Sequence, residues 1–324
     1  MYAKLGEPLP ISDEEFDLRR NNTNIHIVVS HCEEHVNWIA QYIGPGYNVK
    51  NITIFSKCNR KIRGLDELTK FAHVQIIRLD NVGRCDHTYA YWIAKHYKEI
   101  QDNIETEGDD VVLFLKDNKR FRRLYYNFKR FFIFLTDVGF GCVKKPECDC
   151  SIQCTRWRLI PNLAHNKSYV LDFSLDEYKR VHRDENHEFL NEKYHNLKSW
   201  RYDMNLSLPS TPSMPVCYGG MFGVKRKHIL NQPLSVWESV TKSLERGDNI
   251  IEGHYAERMW AGILTDHNEV DNRVADEILK PEIWDMVKRP NDGNVCGMAG
   301  MYYARRSTNM TEHITRHIKN YTTN

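Results

Sequence analysis

The sequence lacks long apolar runs and a strong net charge. No stretch approaches the roughly 18–20 apolar residues that a membrane-spanning helix needs, and residues 1–8 lack the apolar core of a signal peptide. The net charge is +2, from 45 basic and 43 acidic residues, so charge does not predict binding to nucleic acid or to an anionic membrane. We expect a soluble protein without a membrane segment. It would be cytoplasmic, or would work in the secretory lumen (Golgi) if an anchor or signal is missing from this chain.

Several catalytic motifs are also missing. The chain contains no G-x-S-x-G, no P-loop and no G-x-G-x-x-G, which weighs against a serine hydrolase, a P-loop NTPase and a dinucleotide enzyme. It has neither an internal repeat nor a low-complexity tract. Its 324 residues are 41% hydrophobic and 11% aromatic, which is enough for a globular core.

Cysteine is not scarce. Nine cysteines are many for a cytosolic protein, and an odd number for a fully disulfide-bonded one. Four of them lack the paired C-x2-C spacing of common zinc sites, so two local disulfides fit as well as zinc does: Cys142, Cys148, Cys150 and Cys154. The cysteines and six Asn-x-Ser/Thr sequons together slightly favour a secretory glycoprotein. The sequons begin at Asn21, Asn51, Asn166, Asn205, Asn309 and Asn320.

Strands alternate with helices in the first part of the chain. Short β-branched runs predict strands at 25–30, 49–55, 74–79 and 111–115, with apolar residues at helical spacing between them. Asp86 is expected to cap the helix after the third strand. The alternation predicts a mostly parallel, helix-covered sheet.

The middle of the chain is less regular. The basic and aromatic residues of 119–132 favour an amphipathic helix over a nucleic-acid site. A further strand is predicted at 216–224, and helices follow Pro233 and Ile250. We expect an N-terminal arm (1–23), one domain (24–270) with an irregular cysteine-containing insertion (119–215), and a C-terminal extension (271–324).

The strand at 111–115 ends in polar residues, Lys116-Asp117-Asn118. Such groups at the carboxyl end of a buried strand face the crevice where open α/β sheets bind ligands. Asp117 could hold Mg²⁺ or Mn²⁺ together with a diphosphate, or Lys116 could neutralise phosphate directly. The alternative is a core strand that runs into a solvated loop.

Gly83 and Arg84 form a second candidate site, because they follow a predicted strand and precede a helix. Gly83 permits close backbone approach, and Arg84 offers a bidentate fork for phosphate beside the free N–H groups of a helix N-terminus. The alternative is an ordinary turn with a solvated arginine.

Glu257 and the glycines before it form a third candidate. A carboxylate near Trp260 could be partly desolvated, and desolvation would raise its pKa towards that of a general base. A surface Glu–Arg helix is the alternative. Gly219 and Gly220 would let a ligand approach closely, or would form a bulge in an edge strand.

These segments resemble a known family. Residues 27–38, 81–89 and 111–118, with 219–224 and 257–260, are similar in order and spacing to an uncharacterised, largely fungal family of glycosyltransferase-like proteins. The Asn-Val-Gly-Arg…His-Thr-Tyr block is the most specific part. The wider resemblance is to the GT-A fold, a nucleotide-sugar-binding three-layer α/β sandwich with a mostly parallel central sheet.

The resemblance implies an inverting glycosyltransferase. It would move a sugar from a nucleoside-diphosphate sugar to a glycan or other hydroxyl acceptor, with Glu257 as the base and Asp117 as candidate ligand of Mn²⁺ or Mg²⁺. The chain has Lys116-Asp117-Asn118 in place of the Asp-x-Asp metal motif. A catalytically inactive glycan- or nucleotide-binding protein on the same fold is therefore the alternative. The donor side would comprise Ser30, Glu33, Asp80, Gly83, Arg84, Lys116, Asp117 and Asn118, and the acceptor side Gly219, Gly220 and Trp260.

Overall fold

A computed structural model describes residues 12–44, 46–117, 128–143, 164–176, 179, 193–208, 213–217 and 219–265. Within these ranges, helices cover both faces of a six-stranded mixed sheet. The predicted α/β class with a mostly parallel sheet is confirmed, whereas the GT-A assignment stays a prediction. The C-terminal extension lies outside the described residues.

The main sheet has the strand order β3-β2-β1-β4-β8-β5, and β6 pairs with β7 apart from it. Neighbouring strands from β3 to β4 are parallel, and β8 runs antiparallel between β4 and β5. The strands are β1 (Asn24–His31), β2 (Asn48–Ser56), β3 (His73–Arg78), β4 (Val111–Lys116), β5 (Phe140–Cys142), β6 (Ala164–Asn166), β7 (Ser213–Pro215) and β8 (Phe222–Lys225).

The described helices fill the connections between these strands. They are α1 (Asp13–Asn22), α2 (Asn37–Ile43), α3 (Leu65–Leu68), α4 (Arg84–Asp102), α5 (Ile104–Glu107), α6 (Phe128–Val138), α7 (Lys167–Leu171), α8 (Leu197–Asp203), α9 (Arg226–Ile229), α10 (Leu234–Leu244) and α11 (Ile251–Leu264). In this part of the chain, no helix combines the length and the apolar character needed to cross a bilayer.

The strand order reverses between β1 and β4. The chain adds β2 and β3 on one side of β1, then returns through α4 to place β4 on the other side. Ligands of open α/β sheets bind outside the carboxyl ends of the strands at such a reversal. Ser30 of β1 lies in register with Lys116 of β4, so the polar ends of both strands meet at that point.

Two apolar layers hold the sheet between the helices. Val111–Leu115 of β4 are at most 1% exposed, as expected for a strand covered on both faces. Phe114 and Phe222 pack with the α4 layer, and Leu113 packs with the α2 and α6 layer. Burial of each such side chain contributes about 1.5–3 kcal/mol to the stability of the folded state. This packing holds the strands, and therefore the polar residues at their ends, in fixed positions.

The described parts of the N-terminal arm and of the insertion contain more regular structure than the sequence predicts. Ser12 caps α1 by accepting from the amide of Glu15 at 3.1 Å. Phe16 then packs edge-to-face on Phe132 of α6, with ring centroids 6.2 Å apart. Of the helix predicted within 119–132, residues 128–132 lie in α6 and residues 119–127 lie outside the described residues. The strand β5 joins the main sheet. A hydrophobic contact distant in sequence therefore holds α1 against α6.

The strand predicted at 216–224 is too long. Gly219 and Gly220 have φ angles of 95° and 61°, in the left-handed region that breaks a strand. Only Phe222–Lys225 form β8. Because β8 lies between β4 and β5, the predicted bulge in an edge strand is also wrong.

The disulfide that Cys142 forms is neither of the two alternatives predicted for the cysteine cluster of 142–154, which were a zinc site and local disulfides. Cys142 forms a disulfide with Cys217, 75 residues away, and Cys32 pairs with Cys58. A zinc site or local disulfide that uses Cys142 is therefore wrong. The other three cysteines of the cluster lie outside the described residues, and Cys85 is free and buried.

Candidate functional site

Charged side chains from three elements converge at the carboxyl edge of the sheet. Arg84 begins α4, Lys116 ends β4, and Glu257 lies within α11. The Arg84 Nη2 atom is 3.5 Å from the Glu257 Oε2 atom, and the Arg84 side chain is 27% exposed. Lys116 packs so tightly against Gly220 that a Cβ there would lie 2.9 Å from the Lys116 Cε atom. Arg84 and Lys116 thus form a cationic cluster with the Glu257 carboxylate. The cluster is partly accessible to solvent because the Arg84 side chain is partly exposed.

The backbone of Arg84 is strained. Its φ angle is +54°, a left-handed conformation that costs a residue with a Cβ about 1–2 kcal/mol. The Lys57 Nζ atom donates to the carbonyl oxygens of Val82 and Arg84, and the Arg84 Nη1 atom lies 3.0 Å from the His254 Nδ1 atom. These contacts hold the guanidinium towards α11.

Gly83 is required for packing at the start of α4. Its φ angle is +56°, and its amide donates to the carbonyl of Gly247 at 2.6 Å. A Cβ at this position would lie 2.5 Å from the carbonyl oxygen of Leu244 in α10. The glycine is therefore required where α4 begins against the end of α10.

The pKa of Glu257 differs from the expected one. Burial alone would raise it, but the charges of Arg84, Lys116 and Arg258 and a hydrogen bond outweigh that effect and lower the pKa to about 2. In that bond the Gly219 amide donates to Glu257 Oε1 at 2.7 Å. The expectation of a raised pKa is thus wrong, because it took account of the aromatic neighbour Trp260 and left out the nearby cations.

Asp86 and Trp260 form a buried pair behind this cluster. The Trp260 Nε1 atom donates to Asp86 Oδ1 at 2.7 Å, and both residues are 0% exposed. Burial raises the pKa of Asp86. Gly83 occupies the N-cap position of α4, so Asp86 is not the predicted cap. Trp260 is a core residue in this structure, and its predicted contact with an acceptor is wrong here.

Asp117 is engaged by the loop that follows β1. Its Oδ2 atom accepts from the amides of Cys32, Glu33 and Glu34 at 2.7, 2.8 and 3.0 Å. Consecutive amides of this kind form an anion-binding concavity. Because the protein's own carboxylate fills it, the loop does not offer these amides to a nucleotide.

The donor set around Asp117 does not fit a divalent cation. Mg²⁺ and Mn²⁺ are held by several oxygen ligands, whereas the Asp117 Oδ2 atom already accepts three hydrogen bonds. The His31 Nε2 atom lies 3.9 Å from Oδ2. Across the described ranges, no group of three or more His, Cys, Asp or Glu side chains could hold a metal ion.

The remaining predicted residues lie around the cluster rather than in it. Ser30 is buried, and its Oγ atom accepts from Thr88 Oγ1 at 3.1 Å. The side chains of Glu33 and Asp80 are exposed, and Asp80 accepts from the Val82 amide at 2.9 Å through its carbonyl. Asn118 lies outside the described residues.

Sequence reasoning missed Lys57 and His254. Lys57 follows directly after β2, and a cation at the carboxyl end of a parallel strand is a recognisable signal. His254 precedes Glu257 by one helical turn on α11, a spacing that places both on one face. No protein-family model, curated protein or solved structure matches the chain.

Proposed function

We propose that this protein is a glycosyltransferase that takes its sugar from a nucleoside-diphosphate donor. The observation that carries the proposal is the convergence of Arg84, Lys116 and Glu257 at the strand-order reversal between β1 and β4. Two cations can stabilise the negative charge of a diphosphate leaving group. The nearby carboxylate of Glu257 can accept the proton of a hydroxyl nucleophile.

The reaction would be a single displacement at the anomeric carbon. The acceptor oxygen forms the new bond, its proton passes to Glu257, and the anomeric carbon–oxygen bond to phosphate breaks. The electron pair remains on the diphosphate, where Arg84 and Lys116 stabilise the developing charge.

Donor binding would prepare Glu257 for this role. In this structure Arg84 and Lys116 contribute to lowering the pKa of Glu257 to about 2. A diphosphate bound by these cations brings negative charge and weakens their stabilisation of the carboxylate. The pKa of Glu257 then rises towards the range of an effective base.

A binding protein without turnover is the second candidate. The observation that favours it is the engagement of Glu257 by the Arg84 guanidinium at 3.5 Å and by the Gly219 amide at 2.7 Å. Both contacts stabilise the ionised carboxylate and lower its pKa, which makes it a weak general base. The two candidates differ in whether a bound donor is consumed.

A panel of nucleoside-diphosphate sugars separates the two candidates. Donor binding is measured as a thermal shift, and turnover as release of the nucleoside diphosphate, with and without glycan acceptors. Glu257→Gln should keep the thermal shift and lose at least about 100-fold in turnover. Glu245→Gln is the matched control, because its carboxylate is 57% exposed.

Each outcome has a separate meaning. A thermal shift without turnover in the wild type identifies the binding protein. Equal turnover in Glu257→Gln removes the assigned role of that residue. If no donor shifts the melting temperature, the proposal of a donor site is wrong.

We also propose that the protein works in an oxidising compartment such as the secretory lumen. The disulfides Cys32–Cys58 and Cys142–Cys217 support this location, because structural disulfides persist mainly in oxidising environments.

A further inference from the structure

We infer that this site holds a diphosphate without a divalent cation, with Arg84 and Lys116 providing the positive charge. The inference rests on the proposed function only in assigning the diphosphate to a sugar donor. In this protein the side chains of Arg84 and Lys116 would provide the positive charge that a metal ion bound to an Asp-x-Asp motif would otherwise provide.

The first observation is that Asp117 already accepts hydrogen bonds from the protein's own backbone. Its Oδ2 atom orders the loop after β1 through three amide hydrogen bonds. The same loop is tied to the end of β2 by the disulfide between Cys32 and Cys58. Coordination of a cation by Oδ2 would compete with all three amides, so the loop geometry opposes a metal at this atom.

The second observation is the fixed position of Lys116. Gly220 is in a left-handed conformation with φ 61°, and its missing Cβ leaves room for the lysine chain. The Tyr89 hydroxyl donates to the Gly220 carbonyl at 2.7 Å, which holds this turn in place. The ammonium of Lys116 is thereby placed on the same side of the sheet edge as Arg84 and Glu257.

Lys116 stays charged in this setting. Burial alone would lower its pKa, but interactions with the neighbouring Cys85 and Glu257 side chains outweigh burial and raise the pKa above its usual value. With Arg84, which ionises as a guanidinium at all ordinary pH values, the site carries two permanent cations.

The third observation comes from the sequence directly after Asp117. Residues 118–127 contain Lys119, Arg120, Arg122 and Arg123 but no Asp or Glu. This segment therefore supplies no second carboxylate for an Asp-x-Asp arrangement.

Calorimetric titration of the full chain tests the inference. The probes are inorganic pyrophosphate, UDP and GDP, each measured in excess EDTA and in excess MnCl₂ with both disulfides intact. We expect dissociation constants for the bound diphosphates that agree within about threefold between the two conditions. In EDTA, Lys116→Met should weaken binding at least about tenfold.

Lys98→Met is the matched control. Lys98 is exposed on the same helix as Arg84, roughly 20 Å further along it, and its removal should leave binding unchanged. Because the wild type alone gives the comparison between EDTA and Mn²⁺, a failure of Lys116→Met to fold does not prevent the test.

The outcomes distinguish this inference from the proposed function. Pyrophosphate binding in EDTA that depends on Lys116 supports the inference, whether or not any nucleotide sugar is turned over. Binding of the diphosphates only with Mn²⁺ overturns the inference and leaves the proposed function standing. If no probe binds in EDTA, metal-free binding is likewise refuted.

Discussion

At the scale of single residues, Glu257 is an anion that the folded state stabilises. Its pKa in the folded protein is about 2 against an ordinary 4.5, so ionised Glu257 contributes stability above about pH 4.5. This contribution decreases as the pH falls towards 2. Glu257→Gln should therefore lower the free energy of unfolding at pH 7 by about 3 kcal/mol. Urea unfolding at a series of pH values measures the difference.

The pH dependence identifies the cause of that loss. The deficit of Glu257→Gln should shrink as the pH falls below about 4.5, whereas Glu245→Gln should remain close to wild type throughout. A deficit that does not change with pH would mean that shape, and not charge, stabilises the site.

Asp117 gives a second prediction at this scale. Asp117→Asn keeps the size of the side chain but removes the charge from three amide hydrogen bonds, which should cost about 1–3 kcal/mol. Hydrogen exchange should accelerate at the amides of Cys32, Glu33 and Glu34 before it accelerates elsewhere. Asp66→Asn, at an exposed position, is the control. Unchanged protection of the three amides would contradict the role given to Asp117.

The sequence indicated which charged side chains would lie near the site, but not how these charges would shift the pKa of Glu257. Arg84 and Lys116 were recognisable because they lie at the ends of predicted elements, and Glu257 because it lies near Trp260 on a predicted helix. The lowered pKa of Glu257 was not predictable, because it depends on cations that lie far away in sequence. Trp260 was misjudged for a similar reason, since its buried partner Asp86 is 174 residues away.

At the scale of elements, the start of α4 depends on Gly83. Gly83→Ala places a Cβ 2.5 Å from the carbonyl oxygen of Leu244 and adds the cost of a left-handed alanine. We expect a loss of at least about 2 kcal/mol and weaker diphosphate binding, because Arg84 follows directly. Chemical denaturation and the calorimetric titration measure the two effects.

Gly253→Ala is the helical comparison for this prediction. Its Cβ would meet the flexible Arg84 side chain at 3.2 Å, and alanine is favoured over glycine within a helix by about 1 kcal/mol. It should therefore be far less destabilising than Gly83→Ala. Equal losses in the two variants would show that the contact with Leu244 is not decisive.

Elements with strong local patterns were predicted well. The apolar spacing of α4, α10 and α11 and the β-branched runs of β1 to β4 lie in sequence segments that carry the signal themselves. The short strand β5 and helix α1 carry little local signal. Each depends on partners from distant segments, as Phe16 does on Phe132.

At the scale of the whole molecule, alternation of strands and helices predicted the parallel part of the sheet but not its antiparallel edge. The β8 strand runs antiparallel to β4 and β5, and no local pattern encodes that direction. The disulfide between Cys142, at the end of β5, and Cys217, before β8, likewise joins positions 75 residues apart in sequence.

The two disulfides should therefore stabilise the molecule unequally. In the loop-entropy model, closing 75 residues between Cys142 and Cys217 gives about 1 kcal/mol more stability than closing 26 between Cys32 and Cys58. We expect Cys142→Ala/Cys217→Ala to cost about 4 kcal/mol and Cys32→Ala/Cys58→Ala about 3 kcal/mol. Equilibrium unfolding of both double variants gives the comparison. The Cys32–Cys58 disulfide also holds the loop whose Cys32 amide donates to Asp117. A larger loss of stability on removing Cys32–Cys58 than on removing Cys142–Cys217 would therefore show that these folded contacts, and not loop length, decide the order.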